Sequence, residues 1–359
     1  MKKSNRIYQL DLFRFIAAIS VVLYHYLFRG YAADDFSRLN FSEIGSFFKY
    51  GYLGVDLFFI ISGFVISLSI KRKSLSKFVI SRISRLYPIY WICVCLTFLV
   101  LLVFGSPRYS VNFNQLIVNL TMFNNYFGVA SIDGVYWTLF VEMKFYIFII
   151  GMYLIVNKIK NIELDYLVFF WISLSLMYLF LNDFFVFKIL NYFLILNWSS
   201  YFIAGIIFYQ IFKKGFSVKY LTLLFISFSL SIYHAFLQTE YLEIHFETSF
   251  SSLIVGGIIF LFYFIMLLVS TNNLSSINSS KLTSLGMLTY PLYLIHQNVG
   301  YIIFNNFEAY FNKYILVLLV IIIMIFVSYL LSKIYEPIVS GFLKTRLENI
   351  MIKYKKHME

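Results

Sequence analysis

Long apolar runs recur along this chain at a length that suits a membrane-spanning helix of about 20 residues. Ten stand out, over roughly residues 10–29, 51–70, 87–105, 137–157, 164–182, 191–212, 219–237, 250–270, 286–306 and 314–334. The sixth is the hardest to bound, because residues 184–212 exceed one untilted span. This pattern predicts an all-α polytopic membrane helix bundle of about ten transmembrane helices. The polar stretches between the runs set its orientation. Lys71, Arg72, Lys73, Lys77, Arg82 and Arg85 lie between the second and third runs, and such a cluster belongs on the cytoplasmic side. Every second loop agrees: Lys158 and Lys160, then Lys213, Lys214 and Lys219, then Lys281, then a tail with Lys344, Arg346, Lys353, Lys355 and Lys356. The opposite loops are poorer in Lys and Arg, and one carries Glu240, Glu243 and Glu247. Both termini are therefore expected in the cytoplasm. No internal repeat, low-complexity linker or appended soluble domain is evident, so residues 1–359 read as a single integral-membrane domain.

Composition narrows the class further. The chain is 61% hydrophobic, 21% aromatic and 13% charged, with a mean hydropathy of +0.81, more apolar surface than a soluble domain can hide. Its 29 Lys+Arg against 17 Asp+Glu give a formal charge of +12. Because the basic residues gather in loops, that charge reads as topology and lipid headgroup contact, and no nucleic-acid partner is expected. The first run is long enough to span, contains charges and lacks a small-residue cleavage site, so it is expected to remain as the first helix. Cys93 and Cys95, the only cysteines, sit two apart in one apolar run and read as packing residues.

Ionisable residues inside the apolar runs carry the chemical signal: Arg14, His25, Asp56, Glu142 and His296. A charge at the centre of a spanning helix costs about 2.5–3.5 kcal/mol on insertion scales, so a set of them implies a use. In the predicted topology Arg14 lies about 6 Å from the cytoplasmic end of span one and His25 a similar distance from the outer end. Their eleven-residue separation keeps both on one face, within about 20°. Asp56 and Glu142 each come about one turn into spans that enter from outside, which puts them level with His25. Arg82 and Arg85 sit just before Pro88, level with Arg14. Arginines suit phosphate recognition, and a histidine beside a carboxylate suits removal of a proton from a hydroxyl. A cytoplasmic donor with phosphates at one end and a reactive acyl group on a long arm, as in a coenzyme A thioester, would link the two sites. These residues alone leave an intramembrane enzyme and a transporter both open.

Five segments then become recognisable: LDLFRFIAAISVVLYH at 10–25, GYLGVDLFFIISGFVIS at 51–67, SRISRLYPIYW at 81–91, YWTLFVEMKFY at 136–146 and TYPLYLIH at 289–296. Together, in this order, they resemble acyltransferase family 3, a family of integral-membrane acyltransferases. The resemblance implies functional roles for Arg14 and His25, for the Arg82 and Arg85 pair, and for Glu142. It implies an acyl-CoA donor, commonly acetyl-CoA, as co-substrate with no bound cofactor, and an acceptor hydroxyl on a surface glycan or its lipid-linked precursor. The enzyme expected is a multi-pass O-acetyltransferase of the inner (cytoplasmic) membrane of a bacterium, modifying cell-envelope polysaccharide beside glycan-assembly proteins. Departures are small: Thr138 and Thr289 stand where Ser is common, and Glu336 directly precedes Pro337, which loosens any role for Glu336. Some relatives add a C-terminal esterase-like domain. This chain ends in a short basic tail, so direct action on the acceptor, or a separate partner protein, is expected.

The expected site is therefore catalytic His25, Glu142 and Asp56, donor-binding Arg14, Arg82 and Arg85, with Asp11, Tyr293 and His296 as additional candidates and no metal. Each has a plainer reading. The plainer reading of His25 is an interhelical hydrogen-bond residue, outweighed by its depth, by Arg14 on its face and by the resemblance; that of Arg14 is a partner of Asp11 one turn earlier, that of Arg82 and Arg85 topology markers, and that of Asp56 and Glu142 structural ion-pair partners. His234, His245 and His357 fall at or beyond span ends and read as surface residues. Gly54, Ser62 and Gly63 read as points of close helix approach. The rival function is a transporter or flippase of a lipid-linked glycan, for which paired broken helices in corresponding halves would speak.

Overall fold

The computed structural model describes residues 6–70, 74–158 and 164–358. Lys71, Arg72, Lys73 and Lys160 lie outside the described residues, as do the side chains of Lys158, Lys355, Lys356 and His357. Every regular element among the described residues is helical, as expected for a chain that must satisfy its backbone polar groups without water. Eight helices are long and apolar enough to cross a membrane, and a bent pair makes a ninth. The expected span at residues 286–306 is not among these eight or nine. A helix does form there, Leu282–Phe307, but Thr289, Tyr290, His296, Gln297 and Asn298 leave it too polar to stand with the others. Two boundaries also move. The third helix runs Leu75–Phe104, so Arg82 and Arg85 lie within it, on one face three residues apart, and not in the loop before it. The basic tail is itself helical, Glu336–Met358.

The chain divides into two compact units. The first comprises residues 1–10, 53–72 and 141–280. Its centre is helix Leu196–Lys214, in which every residue from Ser199 to Ile211 is buried. That helix packs along Gly54–Ile70 and also touches Leu164–Leu181, Val218–Phe246 and Ser252–Ser270. The approach to Gly54–Ile70 is set by two glycines: a methyl group on Gly205 would stand 2.0 Å from the Ile60 carbonyl oxygen, and one on Gly63 would stand 2.2 Å from that of Phe202. Gly63 thus acts as the close-approach point expected of it. Beside this contact Phe202 stacks on Phe145 and Phe59 at ring separations of 4.2 and 4.8 Å.

The awkward stretch 184–212 resolves into Phe185–Leu194 and Leu196–Lys214, bent 44° at Ile195. Ile195 takes a left-handed conformation with φ 49°, which a β-branched residue adopts only when its surroundings hold it there. The holding groups are identifiable. Lys144 donates to the Tyr192 carbonyl at 2.6 Å, Trp171 donates to that of Leu194 at 3.0 Å, and the Asn191 side chain accepts the Asn197 N–H at 3.1 Å. Each supplies a partner that the interrupted helix cannot supply itself. Asp165, buried, accepts from Gln210 and from Lys219, with Lys214 3.8 Å away, and so ties three helices at one end.

The second unit comprises residues 11–52, 73–140 and 281–359. Its centre is Leu282–Phe307, which packs on Leu75–Phe104 and on Lys313–Leu330. Pro291 cannot donate to the Met287 carbonyl four residues back, and the Ser332 hydroxyl donates there instead at 2.9 Å. The segment between Phe104 and Trp137 is sewn to the third helix by the aromatic residues around Pro88. Tyr87, Tyr90 and Trp91 donate to the carbonyls of Thr121, Asn119 and Leu120 at 3.0, 2.7 and 2.9 Å.

Gly205→Ala is expected to drive the two helix backbones apart and to lower stability by about 1–3 kcal/mol, read as a fall in Tm of the purified protein. Lys144→Met should cost a comparable 1–3 kcal/mol by removing the ammonium that donates to the Tyr192 carbonyl, whereas Lys188→Met, on the exposed face of the short helix, should leave Tm unchanged.

Candidate active site

His25 stands where the first helix changes its winding. Residues Tyr8–Tyr24 form a regular α-helix and His25–Arg29 a π-turn, a distortion that recurs at functional positions. Its Nδ1 lies 2.8 Å from the Val21 carbonyl oxygen and 3.1 Å from Nε2 of His296. The carbonyl can only accept, so Nδ1 of neutral His25 carries the ring proton and Nε2 holds the lone pair. No hydrogen bond to that Nε2 is found among the described residues. The His25 and His296 rings meet edge-on, 4.9 Å between centroids, and both residues are buried.

Two tyrosines lock this meeting in place reciprocally. Tyr26 donates to the His296 carbonyl at 2.7 Å, and Tyr301 donates to the His25 carbonyl at 3.1 Å. Each ring fits over a glycine on the facing segment: a methyl group on Gly300 would reach 2.4 Å from the Tyr26 hydroxyl, and one on Gly30 would reach 2.7 Å from the Tyr301 ring. Close by, Tyr293 shares hydrogen bonds with the Thr138 hydroxyl at 2.9 Å and the Val135 carbonyl at 3.4 Å. Thr138 keeps the hydroxyl that Ser would supply, and here that hydroxyl is used.

One functional-looking residue escapes sequence reading altogether. Asp133, fully buried, accepts the Val135 N–H at 3.2 Å and the Asn298 N–H at 3.0 Å, while the Asn298 side chain donates to the Ile132 carbonyl at 2.9 Å. The Asp133-Gly134 turn is thereby clamped to the helix two residues beyond His296. Burial pushes the Asp133 carboxyl up to about 7, against the lowering effect of those two N–H donors. The Asp-Gly pair was the available signal, but turn chemistry alone names no destination for a side chain.

The donor-binding candidates lie in the same unit. Arg14 is half-buried on the first helix. Asp11 is buried, with its carboxylate against Gly286, where an added methyl group would fall 2.3 Å from Oδ1. Arg82 is half-buried over the Phe78 ring at 5.7 Å, and Arg85 is exposed with Glu336 within electrostatic reach. Glu336, whose role its spacing loosens, is thus within the electrostatic surroundings of Arg85.

Asp56 and Glu142 belong to the first unit and take up different partners. Glu142 accepts from Ser62 at 3.0 Å and from Tyr146, so Ser62 is a hydrogen-bond donor and not simply a small residue at a helix contact. Asp56 is 2% exposed. Tyr201 bonds to it, yet its Oδ2 has no partner among the described residues. Tyr201 also reaches the Ser231 carbonyl at 3.2 Å, and the Ser231 hydroxyl meets that of Tyr263 at 2.8 Å. His234 requires a correction. Helix Val218–Phe246 extends well past the expected end at residue 237, so His234 is buried and its Nε2 has no partner among the described residues. His245 is half-exposed and stacks on Tyr241, as suits a position near a helix end. Among the described residues no three His, Cys, Asp or Glu side chains gather as a metal-holding group.

With this geometry in hand, comparison with known proteins decides the family. A model of the acyltransferase domain (Acyl_transf_3) matches residues 7–333. The chain belongs to acyltransferase family 3. It is also similar to a protein of Acidianus two-tailed virus named "Putative acetyltransferase ORF330", 30% identical over 105 residues. That match covers 29% of this chain and 31% of the viral protein. No solved structure matches. The chain thus joins an acyltransferase family 3 domain to eight or nine helices long and apolar enough to cross a membrane, and it matches less than a third of the length of the viral relative.

Asp133 titrates near 7 in the folded protein against about 3.9 when unfolded. The folded state therefore binds the extra proton between those values, and this group's stabilising contribution, complete below about pH 4, is lost as pH rises through 7. Thermal unfolding followed from pH 5 to 8 should show this decline in the wild type, and Asp133→Asn should flatten it.

Proposed function

We propose that this acyltransferase carries an acyl group, acetyl in the first instance, from coenzyme A at the cytoplasmic face to a hydroxyl of a surface glycan or lipid-linked saccharide at the other face of the cytoplasmic membrane. The observation that carries the reading is the state of His25: a buried ring, its Nδ1 engaged by a carbonyl that can only accept, and its basic Nε2 left for an incoming hydroxyl. The acceptor O–H gives its proton to Nε2 as its oxygen attacks the thioester carbonyl carbon. The tetrahedral intermediate collapses, the C–S bond breaks, and the departing thiolate takes the proton back from Nε2. Protons and charge balance over the cycle, and His25 returns to its starting state.

The same first helix offers Arg14 about 16 Å from His25 along its axis. With Arg82 and Arg85 it forms a set of permanently charged forks suited to the phosphates of coenzyme A, while the thin acyl-bearing arm extends toward His25. Glu142 and Asp56 are the carboxylates of the first unit; with the hydroxyls of Ser62, Tyr146 and Tyr201 they offer acceptors for the hydroxyl groups of a sugar. The transporter reading asks for paired broken helices in corresponding halves; a single bent pair is found among the described residues.

Purified protein in liposomes, supplied with acetyl-CoA on one face and a mixed cell-envelope glycan fraction on the other, is expected to release free thiol and acetylate glycan. His25→Ala should lower this by about 10²–10⁴-fold, the usual worth of a general base. Arg85→Ala should raise the KM for acetyl-CoA with little change in kcat. Undiminished transfer by His25→Ala removes His25 from the mechanism.

A further inference from the structure

The proton on His25 can be followed one residue further. Nδ1 of His296 lies 2.8 Å from the Tyr293 carbonyl oxygen and 3.2 Å from that of Leu292. Both neighbours only accept, so neutral His296 also carries its proton on Nδ1. Its Nε2 then presents a lone pair, and that lone pair faces the Nδ1–H of His25 across 3.1 Å. The direction of every bond in the chain is fixed by its end: Tyr293 carbonyl, His296 Nδ1–H, His296 Nε2, His25 Nδ1–H. The Val21 carbonyl shares the last proton, and His25 Nε2 is the one ring nitrogen left over.

We infer that His296 is a positioning residue that does for His25 what a carboxylate does in a hydrolase triad: it accepts the Nδ1–H bond beside the Val21 carbonyl, fixes the direction of the ring, and stabilises the imidazolium that forms when Nε2 takes up the acceptor's proton. The inference rests on His25 being the base. A neutral imidazole in this place suits a buried setting, because a carboxylate there would have to be held charged away from water before any proton arrived. When His25 becomes positive, its Nδ1–H becomes a stronger donor and His296 Nε2, itself a base, shares the charge across the 3.1 Å bond. No bond of His296 is made or broken in the cycle, and its own proton stays on Nδ1. The surroundings enforce the meeting of the rings. Tyr26 and Tyr301 tie the carbonyls of the two histidines to the opposite segments, and Gly300 and Gly30 make room for them. Asp133 clamps the backbone at Asn298, two residues beyond His296.

The test separates this role from simple packing, and its first arm needs no acceptor. In nanodiscs, ¹⁵N–¹H correlation spectra of ring-labelled histidine, assigned by the His25→Ala and His296→Gln variants, report which nitrogen of each ring carries hydrogen. Both His25 and His296 are expected in the Nδ1–H form in the wild type. His296→Gln, whose amide oxygen can accept the same bond, should keep His25 in that form. His296→Leu leaves the Val21 carbonyl to keep the proton on Nδ1, so the tautomer should hold while the Nδ1–H signal moves upfield as its second acceptor is lost. In the acetyl-CoA and envelope-glycan assay, His296→Gln should retain kcat within about tenfold and His296→Leu should lose about 10²–10³-fold, each with KM for acetyl-CoA unchanged. An Nε2–H signal for wild-type His25, or a His296→Leu protein with wild-type kcat, overturns the inference. If His25→Ala itself transfers normally, the acyltransfer reading of His25 fails, while the spectra still decide whether His296 accepts the Nδ1–H bond of His25.

Discussion

The structure turns on one constraint: a polar group taken into an apolar slab must find its partner within the protein. Helix Leu282–Phe307 is the clearest case. It is too polar to be held in a membrane by hydropathy alone, and it sits at the centre of its unit with Thr289, Tyr293, His296, Gln297 and Asn298 buried. Each of those polar residues with a bond described above bonds to a neighbouring segment or to its own preceding turn. The helix belongs in the interior because its neighbours answer its polar groups, and the neighbours take their positions from giving those answers. Even the carbonyl freed by Pro291 is met, by Ser332.

The same constraint explains features that look unrelated. A helix can break at Ile195 inside an apolar unit because Lys144, Trp171 and Asn191 supply the missing bonds. A lysine in mid-helix, costly by itself, is thereby turned into a structural cap, its ammonium also lying 3.9 Å from the Tyr192 ring. Glycines recur where backbones must come close enough for such bonds to form, at Gly63 with Gly205 in one unit and at Gly30 with Gly300 in the other. Exceptions to full satisfaction are few and buried, and Asp56 Oδ2 and His234 Nε2 are two of them.

Satisfaction also stops short at the His25–His296 pair, the place where the proposed chemistry would occur. The bonds running from the Tyr293 carbonyl through His296 to His25 use every ring nitrogen but one. The π-turn that begins at His25 and the tyrosine-over-glycine contacts around it specify ring positions more tightly than packing alone would. Family membership places the protein among those with an acyltransferase family 3 domain. Within the proposed acyl transfer, the His25–His296 pair is where the acceptor's proton would be borrowed and returned.

Much was legible in the residues themselves. Apolar runs and basic loops required a polytopic helical membrane protein, because no other arrangement pays the cost of so much apolar surface and so many backbone polar groups. The motifs around His25, Arg82, Glu142 and His296 named the family. What the sequence could not show were relations between residues far apart in the chain, which depend on how helices rotate and where they break. Hydropathy could not reveal that residues 286–306 would be kept inside by polar contacts, nor that Val218–Phe246 would run on and bury His234. Spacing along one helix put Arg14 and His25 on one face, but only the tertiary structure brought His296, 271 residues away, to within a hydrogen bond of His25. A tautomer is decided by what surrounds each ring nitrogen, and those surroundings exist only once the helices have packed.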